Sequence, residues 1–443
     1  MAAGRSPVPL DARDVDVERV VPGGAGLGHV DGRVALVDGA LPGDRVRAEL
    51  AGAGPRMLRG RALDIVSAGP HRRPEAEVCP RARDGSCGGC DWPAARLESH
   101  RELKTALVLD ALRRLGGLTP DELPEPGWVG SPRSYRLRNR LHLGRDGRLG
   151  FFAPRSTEIS DLETCEIVSG PLRSRLGAIG SFLGSLGLAG GELSTLENRD
   201  GSVVLGELRL DPGCPPKFPS MVTRGPFDGF RIADPAGRIL VEEGAGWLEV
   251  LAGGASFRVS VSSFFQGNRF LLDSFLEEIR AALAAAGPVR GALDLYAGVG
   301  FLTRPLLEAA GEGGNVVAVE VDSSSSQDLF ANLRRWEGLG LARGRAERST
   351  AEGFLFSGVP SRTPVPLDAV VADPPRAGLS PAVRKGLLRL RPAALLMVSC
   401  DPPTLARDMA ALGAAYALRR LTLLDLFPGT HHVETVALLV RRT

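Results

Sequence analysis

Lysine is nearly missing from this chain of 443 residues: there are 3, against 51 arginines. Arginine grips phosphate with a two-pronged fork that lysine lacks, but a composition rich in alanine, glycine and arginine also accounts for the bias, which alone decides nothing. Aromatic residues make up only 5% of the chain, and no apolar run reaches the roughly 18 residues a membrane helix needs. The start, MAAGRSPVPLDARD, lacks the basic and apolar regions of a secretory signal. A cytoplasmic protein without a membrane partner is therefore the expectation, with a monomer as the default. There are only 6 cysteines, too few for a disulfide scaffold, so in a reducing cytosol they are inert, metal-binding or catalytic. Neither sign of charge dominates, with 54 basic and 52 acidic side chains, yet a total conceals local stripes. At roughly 100 to 200 residues per domain, the length allows two to four domains.

Residues 11–68 alternate apolar and polar positions between glycine-rich turns, the pattern of a small β-barrel. The texture changes at Pro70, where HRRPEAEVCPRARDGSCGGCDW holds three cysteines and little periodic structure. Ala106, Leu107, Leu109, Ala111, Leu112 and Leu115 then recur at helical spacing. The stretch RSYRLRNRLHLGRDGR, 133–148, carries six arginines against one aspartate and predicts a strand with a basic face. Such a face is either a phosphate track or a solvated surface. Residues 150–258 read only as short strands and turns. From about 290 strands alternate with helices, which implies a parallel sheet covered on both faces with ligands at the carboxyl ends of its strands.

The chemistry concentrates at those strand ends. In DLYAGVG, 294–300, Gly298 and Gly300 let backbone approach a ligand, and Glu320 ends the next strand some twenty residues on, where a carboxylate can take two ribose hydroxyls. The third glycine of the nicotinamide fingerprint is replaced by Thr303, so S-adenosylmethionine, which has no pyrophosphate, fits better than a dinucleotide. Asp373 ends another strand in DPPR; an aromatic fourth residue would suggest methylation of an amino nitrogen, but Arg376 stands there. Cys400 precedes a helix start with Arg407 within it, and a helix dipole and a cation both favour thiolate. Glu434 begins the last strand, where it can accept a proton in the same crevice.

Four segments in order, FFQGN (264–268), DLYAGVG, VSCDPPTLARD (398–408) and LFPGTHHVETVALL (426–439), resemble the RNA uracil-C5 methyltransferase family. The resemblance implies an α/β chain of three parts: an OB-like TRAM barrel at 1–68 that binds RNA, a mixed α+β domain at 69–258, and a class I, Rossmann-like methyltransferase domain at 259–443. The helix near 96–125 is expected to pack on the catalytic part. By the same resemblance Cys400 is the nucleophile and Glu434 the base, while Gln266, Tyr296, Gly298, Glu320 and Asp373 hold S-adenosylmethionine. Cys79, Cys87, Cys90 and Cys165 would be cluster ligands. Their spacing, C-x7-C-x2-C with the fourth 75 positions further, admits zinc or iron–sulfur, and family precedent favours a four-iron, four-sulfur cluster of structural role. Cys214 matches no site. The chain departs from the family pattern at Asp401, where asparagine is usual, at Phe301, where a polar residue is usual, and in a first cysteine gap two residues longer.

Both a thiol and a base are needed because uracil C5 is a poor nucleophile. A thiolate adds to C6 and makes C5 enolate-like; a base then takes the C5 proton so that the cysteine can leave. The target base must be turned out of its stack at a cost of a few kcal/mol, and the Phe264–Phe265 pair is either a stacking platform or core. Ribosomal large-subunit RNA is the expected substrate and transfer RNA the alternative. A nitrogen or small-molecule methyltransferase needs neither Cys400 nor Glu434, and an RNA-binding factor would use the barrel with catalysis secondary.

Overall fold

The computed structural model describes residues 11–144, 147–188, 190–213, 223–357 and 367–442. Strands Asp11–Val20, Gly26–Val30, Arg33–Asp38, Arg45–Gly54 and Met57–Ser67 close into a barrel, the fifth lying between the third and fourth. Alternation does the work: along Arg45–Gly54 the side chains of Val46, Ala48 and Leu50 turn into the barrel core with Val15, Val17 and Val37, while Arg45 and Arg47 face out. Where the fourth and fifth strands pair, a Cβ on Gly60 would stand 1.7 Å from the carbonyl oxygen of Glu49, so only glycine lets the barrel close there.

A seven-stranded sheet follows, in the order Ile239–Gly244, Gly229–Ala233, Val204–Leu210, Gly191–Glu197, Arg138–Leu143, Leu149–Phe152, Ile159–Ser160. Helix Gly170–Ser185 covers it through Leu172, Ile179 and Leu183. That helix starts where Ser169 accepts from the Leu172 N–H and Pro171 occupies the first turn. Its glycines and weak amphipathicity hide it from periodicity.

The middle of the arginine stripe, Arg138 and Arg140, lies on one strand of this sheet, with Leu141 and Leu143 turned into the core. Arg138 is half-buried, donates to the Val261 carbonyl at 3.0 Å, and is pushed down to about 10 by desolvation. Arg133 pairs with Glu166 at 3.1 Å. Arg140 and Arg148 are exposed, and Arg140 pairs with Glu192 at 3.1 Å. Side chains alternate between the two faces, so Arg138, Arg140 and His142 share the face opposite Leu141 and Leu143.

The third sheet has eight strands, in the order Arg343–Arg348, Asn315–Glu320, Gly291–Leu295, Ala369–Ala372, Ala394–Ser399, Glu434–Arg441, Tyr416–Leu424, Gly127–Val129. The first five are parallel, and Glu434–Arg441 enters antiparallel between two neighbours. The polar segment LARGRAERST supplies the edge strand Arg343–Arg348, where charged side chains suit an open rim. The strand order reverses around Gly291–Leu295, which opens a crevice at the carboxyl ends. Helix His100–Arg114 packs on Pro402–Leu412, sharing one core with Leu293, Leu395 and Met397, and Gly127–Val129 pairs beside Tyr416–Leu424. The hairpin Trp247–Ala252, Ala255–Ser260 joins the core on the other face. Among the described residues no helix is long and apolar enough to cross a membrane.

Gly60→Ala is expected to cost about 1–3 kcal/mol by forcing the paired strands apart. Gly52→Ala in the same strand pair has room, its Cβ meeting only the Arg33 guanidinium at 3.8 Å. Thermal denaturation of the two variants side by side checks the difference.

Candidate active site

The glycine turn at the end of Gly291–Leu295 is tightly wound. Tyr296 holds a left-handed backbone at φ 65°, Gly298 at 57° and Gly300 at 94°. A Cβ on Gly298 would point into open space, so its backbone face is bare toward the crevice. The Gly298 N–H donates to Glu320 at 2.8 Å, and the other Glu320 oxygen accepts from the Val321 and Asp322 N–H groups. This network fixes the carboxylate at the strand end. Asp294, beneath the turn, is fully buried; it accepts from the Thr303 hydroxyl at 2.6 Å, and burial pushes it up to about 8. One cleft is lined together by Phe264, Gln266, Tyr296, Gly298 and Asp373. Gln266 stands 3.5 Å from Asp373, and burial raises Asp373 to about 7. The structure thus brings together all five residues assigned to the methyl donor, Glu320 joining through its bond to Gly298.

Cys400 and Glu434 meet because of strand direction. The last ladder pair between their strands is Ser399 with Thr435, so Cys400 leaves one strand where Glu434 enters the next. Glu434 is 5% exposed, its Oε1 has no hydrogen-bond partner, and burial with nearby Asp373 lifts it well above the carboxylate range against the pull of Arg376. Burial pushes Cys400 up to about 12, with Glu434 and Asp373 adding to it and Arg376 opposing.

The depressed thiol expected from the helix start is therefore corrected. Partial desolvation and neighbouring acids outweigh the dipole, and Arg407 turns away to Asp408 and the Ala377 carbonyl. The cation that acts on the thiol is Arg376, which DPPR displays but to which the sequence alone assigns no role. Arg376 donates to His432 Nε2 at 3.3 Å; burial and its cationic neighbours hold that imidazole neutral, at about 4.

Four cysteines, Cys79, Cys87, Cys90 and Cys165, are free and half-buried. Burial raises the thiols of Cys87, Cys90 and Cys165, and the sulfurs act on one another: Cys79 on Cys87, Cys165 and Cys87 on Cys90. Cys165 accepts from the Ile167 and Val168 N–H groups, and Cys87 from Gly89 at 3.4 Å. No group of three or more His, Cys, Asp or Glu among the described residues is placed to hold a metal ion. Zinc at about 2.3 Å from each sulfur would draw four thiols into close contact. Four such thiols are a donor set that either zinc or an iron–sulfur centre accepts. Cys214 lies outside the described residues.

Comparison with known proteins adds the missing context. The model of the tRNA (uracil-5-)-methyltransferase family matches residues 247–442, and that of the TRAM domain matches 11–63. An uncharacterized RNA methyltransferase of Streptomyces avermitilis is 31% identical over 96% of this chain and 97% of its own. One of Thermosynechococcus vestitus is likewise 31% identical, over 94% and 95%. The chain belongs to the RNA uracil-5-methyltransferase family. Its fold is that of class I methyltransferases: the crystal structure of Pyrococcus abyssi tRNA (uracil-54, C5)-methyltransferase in complex with S-adenosyl-L-homocysteine superposes with a TM-score of 0.72 at 22% identity, covering 97% of this chain and all of that one.

Two of the three departures of this methyltransferase from its family pattern, Asp401 and Phe301, have local causes. Asp401 caps helix Pro402–Leu412, accepting from the Thr404 N–H at 2.9 Å, a task aspartate and asparagine share. Phe301 is core, ringed by Phe257, Phe265 and Phe275. The FF pair divides: Phe265 is 2% exposed in that core, whereas Phe264 is 65% exposed on the rim of the cleft.

With its pKa near 12, Cys400 is expected to alkylate slowly at neutral pH and ever faster as pH rises, without a plateau near 7. Arg376→Met removes the opposing cation and should slow it further, by up to about tenfold, the change in thiolate fraction that one pKa unit brings. Iodoacetamide labelling read on the Cys400 peptide by mass spectrometry tests both; a neutral-pH plateau would show the thiol to be depressed after all.

Proposed function

We propose that this enzyme transfers a methyl group from S-adenosylmethionine to C5 of a uracil in structured RNA, with Cys400 as nucleophile and Glu434 as base. The observation that carries it is the meeting of Cys400 and Glu434 at facing strand ends beside the Gly298–Glu320 turn. Generic methyl transfer to nitrogen has no use for that pair.

Bound S-adenosylmethionine supplies an electrophilic methyl on a sulfonium. Glu320 would take the ribose hydroxyls and the bare Gly298 face would let the nucleoside approach, while Gln266, Tyr296 and Asp373 line the same cleft. Cys400 gives up its proton to solvent and its Sγ bonds to uracil C6, turning C5 into an enolate carbon. Once C5 carries the methyl, a Glu434 oxygen takes the C5 proton, the C5–C6 double bond re-forms and the Sγ–C6 bond breaks. A carboxylate raised well above its ordinary range is the stronger base for that step. Arg376 acts on both groups, so it can follow charge between them. Exposed Phe264 offers a stacking face to the turned-out nucleotide, worth about 1–3 kcal/mol per base.

Ribosomal large-subunit RNA is the proposed substrate, on the strength of a TRAM barrel combined with four cysteines. The Pyrococcus enzyme's action on tRNA supports transfer RNA as the second reading. Cys400→Ala should abolish methylation while RNA still binds, and Glu434→Gln should trap an RNA–protein adduct that survives denaturing electrophoresis. Mapping 5-methyluridine in ribosomal and transfer RNA of a strain lacking the enzyme identifies the target. Methylation by Cys400→Ala would end the mechanism.

Cys79, Cys87, Cys90 and Cys165 are proposed to hold a four-iron, four-sulfur cluster of structural role. Anaerobically purified enzyme should then be brown, with iron and sulfide in equal amounts, and bleach when Cys90→Ser is introduced. Colourless protein carrying zinc would overturn the cluster.

A further inference from the structure

The nine residues Asp425–Val433 connect Tyr416–Leu424 to Glu434–Arg441, and Leu424 pairs directly with Glu434. They form a hairpin loop whose last step delivers the base into the crevice. One side chain from outside the hairpin fastens both its ends. Lys104, on helix His100–Arg114, is 0% exposed. Its ammonium donates to Asp425 Oδ1 at 2.5 Å, to the Phe427 carbonyl at 3.2 Å and to the His432 carbonyl at 2.6 Å. His100, one turn earlier on the same helix face, holds the other Asp425 oxygen at 2.7 Å.

All three ammonium protons are used, and their acceptors converge from the start and the end of the loop. A compact ammonium satisfies three such directions, whereas the flat guanidinium fork does not. In a chain with 51 arginines, this is one of 3 lysines, and it sits where an arginine would not fit. Other groups also hold the loop: the Asp425 N–H donates to the Val129 carbonyl at 2.8 Å, Asn268 to the Leu426 carbonyl at 3.0 Å, the Trp92 N–H to the Gly429 carbonyl at 2.9 Å and the His431 N–H to Asp91 at 2.9 Å, while Arg376 reaches the His432 ring. Among them Lys104 is the side chain that joins Asp425 at the start to the His432 backbone, two residues before Glu434.

We propose that Lys104 is a positioning residue for proton removal from C5: it clamps the hairpin so that the Glu434 carboxylate stands where that proton will be. The proposal rests on Glu434 being the base. Its signature is kinetic. Loosening the loop should spare the steps that Cys400 performs and slow the one that Glu434 performs.

The test uses full-length enzyme and RNA carrying [5-³H]uridine at the target, in single turnovers that follow formation of the denaturant-stable adduct and, separately, its decay with release of tritium. Lys104→Met should slow decay and tritium release by about 10- to 100-fold, as small misplacements of a reacting group do, while adduct formation changes by less than about threefold. Lys104→Arg should fail to rescue. Lys104→Met leaves Asp425 buried without its cation, so Lys104→Met/Asp425→Asn is measured as well. It should melt close to wild type and still decay slowly, since the carbonyl contacts stay lost. Formation and decay slowing in parallel, full decay in the double variant, or rescue by arginine would each overturn the proposal. Glu434→Gln serves as reference: if it accumulates no adduct, the base assignment has failed rather than the clamp.

Discussion

One antiparallel strand governs the crevice. A purely parallel sheet brings only carboxyl ends to its ligand edge, so every side chain there follows a strand and precedes a helix. Glu434–Arg441, inserted the other way, brings its amino end to that edge, and Glu434 arrives beside Cys400 with the ladder itself setting the spacing. The same reversal obliges the preceding loop to lie at the crevice, where the neighbouring strand holds only its first residue, through Val129. Its fastening therefore comes from elsewhere in the chain. Lys104 and His100 come from a helix that precedes the sheet in sequence, Asn268 from the FFQGN segment, and Asp91 and Trp92 from the cysteine-bearing segment. Trp92 also donates to the Gly24 carbonyl at 2.7 Å, tying the barrel to the same point.

The electrostatics of the site follow from that crowding. Asp294, Asp373 and Glu434 are all lifted by burial, and Cys400 with them, while Arg376 opposes the rise at Cys400 and Glu434. A crevice rich in acids and short of compensating charge costs stability when its groups ionise. That cost is what makes its carboxylates avid for protons, and it makes the site receptive to a cationic ligand. A sulfonium donor supplies such a charge where a neutral one would leave the acids uncompensated, a second physical ground for the proposed donor beside the glycine turn.

Much of this arrangement was legible because strand ends announce themselves. Apolar runs closing on glycine, proline or a lone polar residue located Gly298, Glu320, Asp373, Cys400 and Glu434, and the sheet carries them to one edge. What stayed hidden depends on which way side chains turn. The sign of the shift at Cys400 differs from the expectation because the helix start is visible in sequence, whereas the burial that raises the thiol, with Glu434 and Asp373 adding to it, is not. The arginine stripe alternates as its sequence implies, but the carboxylates that take Arg133 and Arg140, Glu166 and Glu192, lie far along the chain. Helix Gly170–Ser185 carries too little apolar rhythm to be seen. The FF pair could not be divided into a core ring and a rim ring without the aromatic cluster around Phe301.

The arginine excess takes on a different meaning in the folded chain. Arg133, Arg138 and Arg269 reach carboxylates and carbonyls inside the middle sheet, and Arg258 and Arg384 anchor on buried Asp328 and Asp408. On the barrel, Arg47, Arg59 and Arg61 face Asp14, Asp38 and Glu49. Much of the basic charge is thus matched within the molecule, and its count is no measure of phosphate contacts. An RNA that meets such a surface is drawn by a weaker long-range field than 51 arginines suggest. On the proposed function, selection of the target would then rest on close-range features such as the exposed ring of Phe264 at the mouth of the cleft.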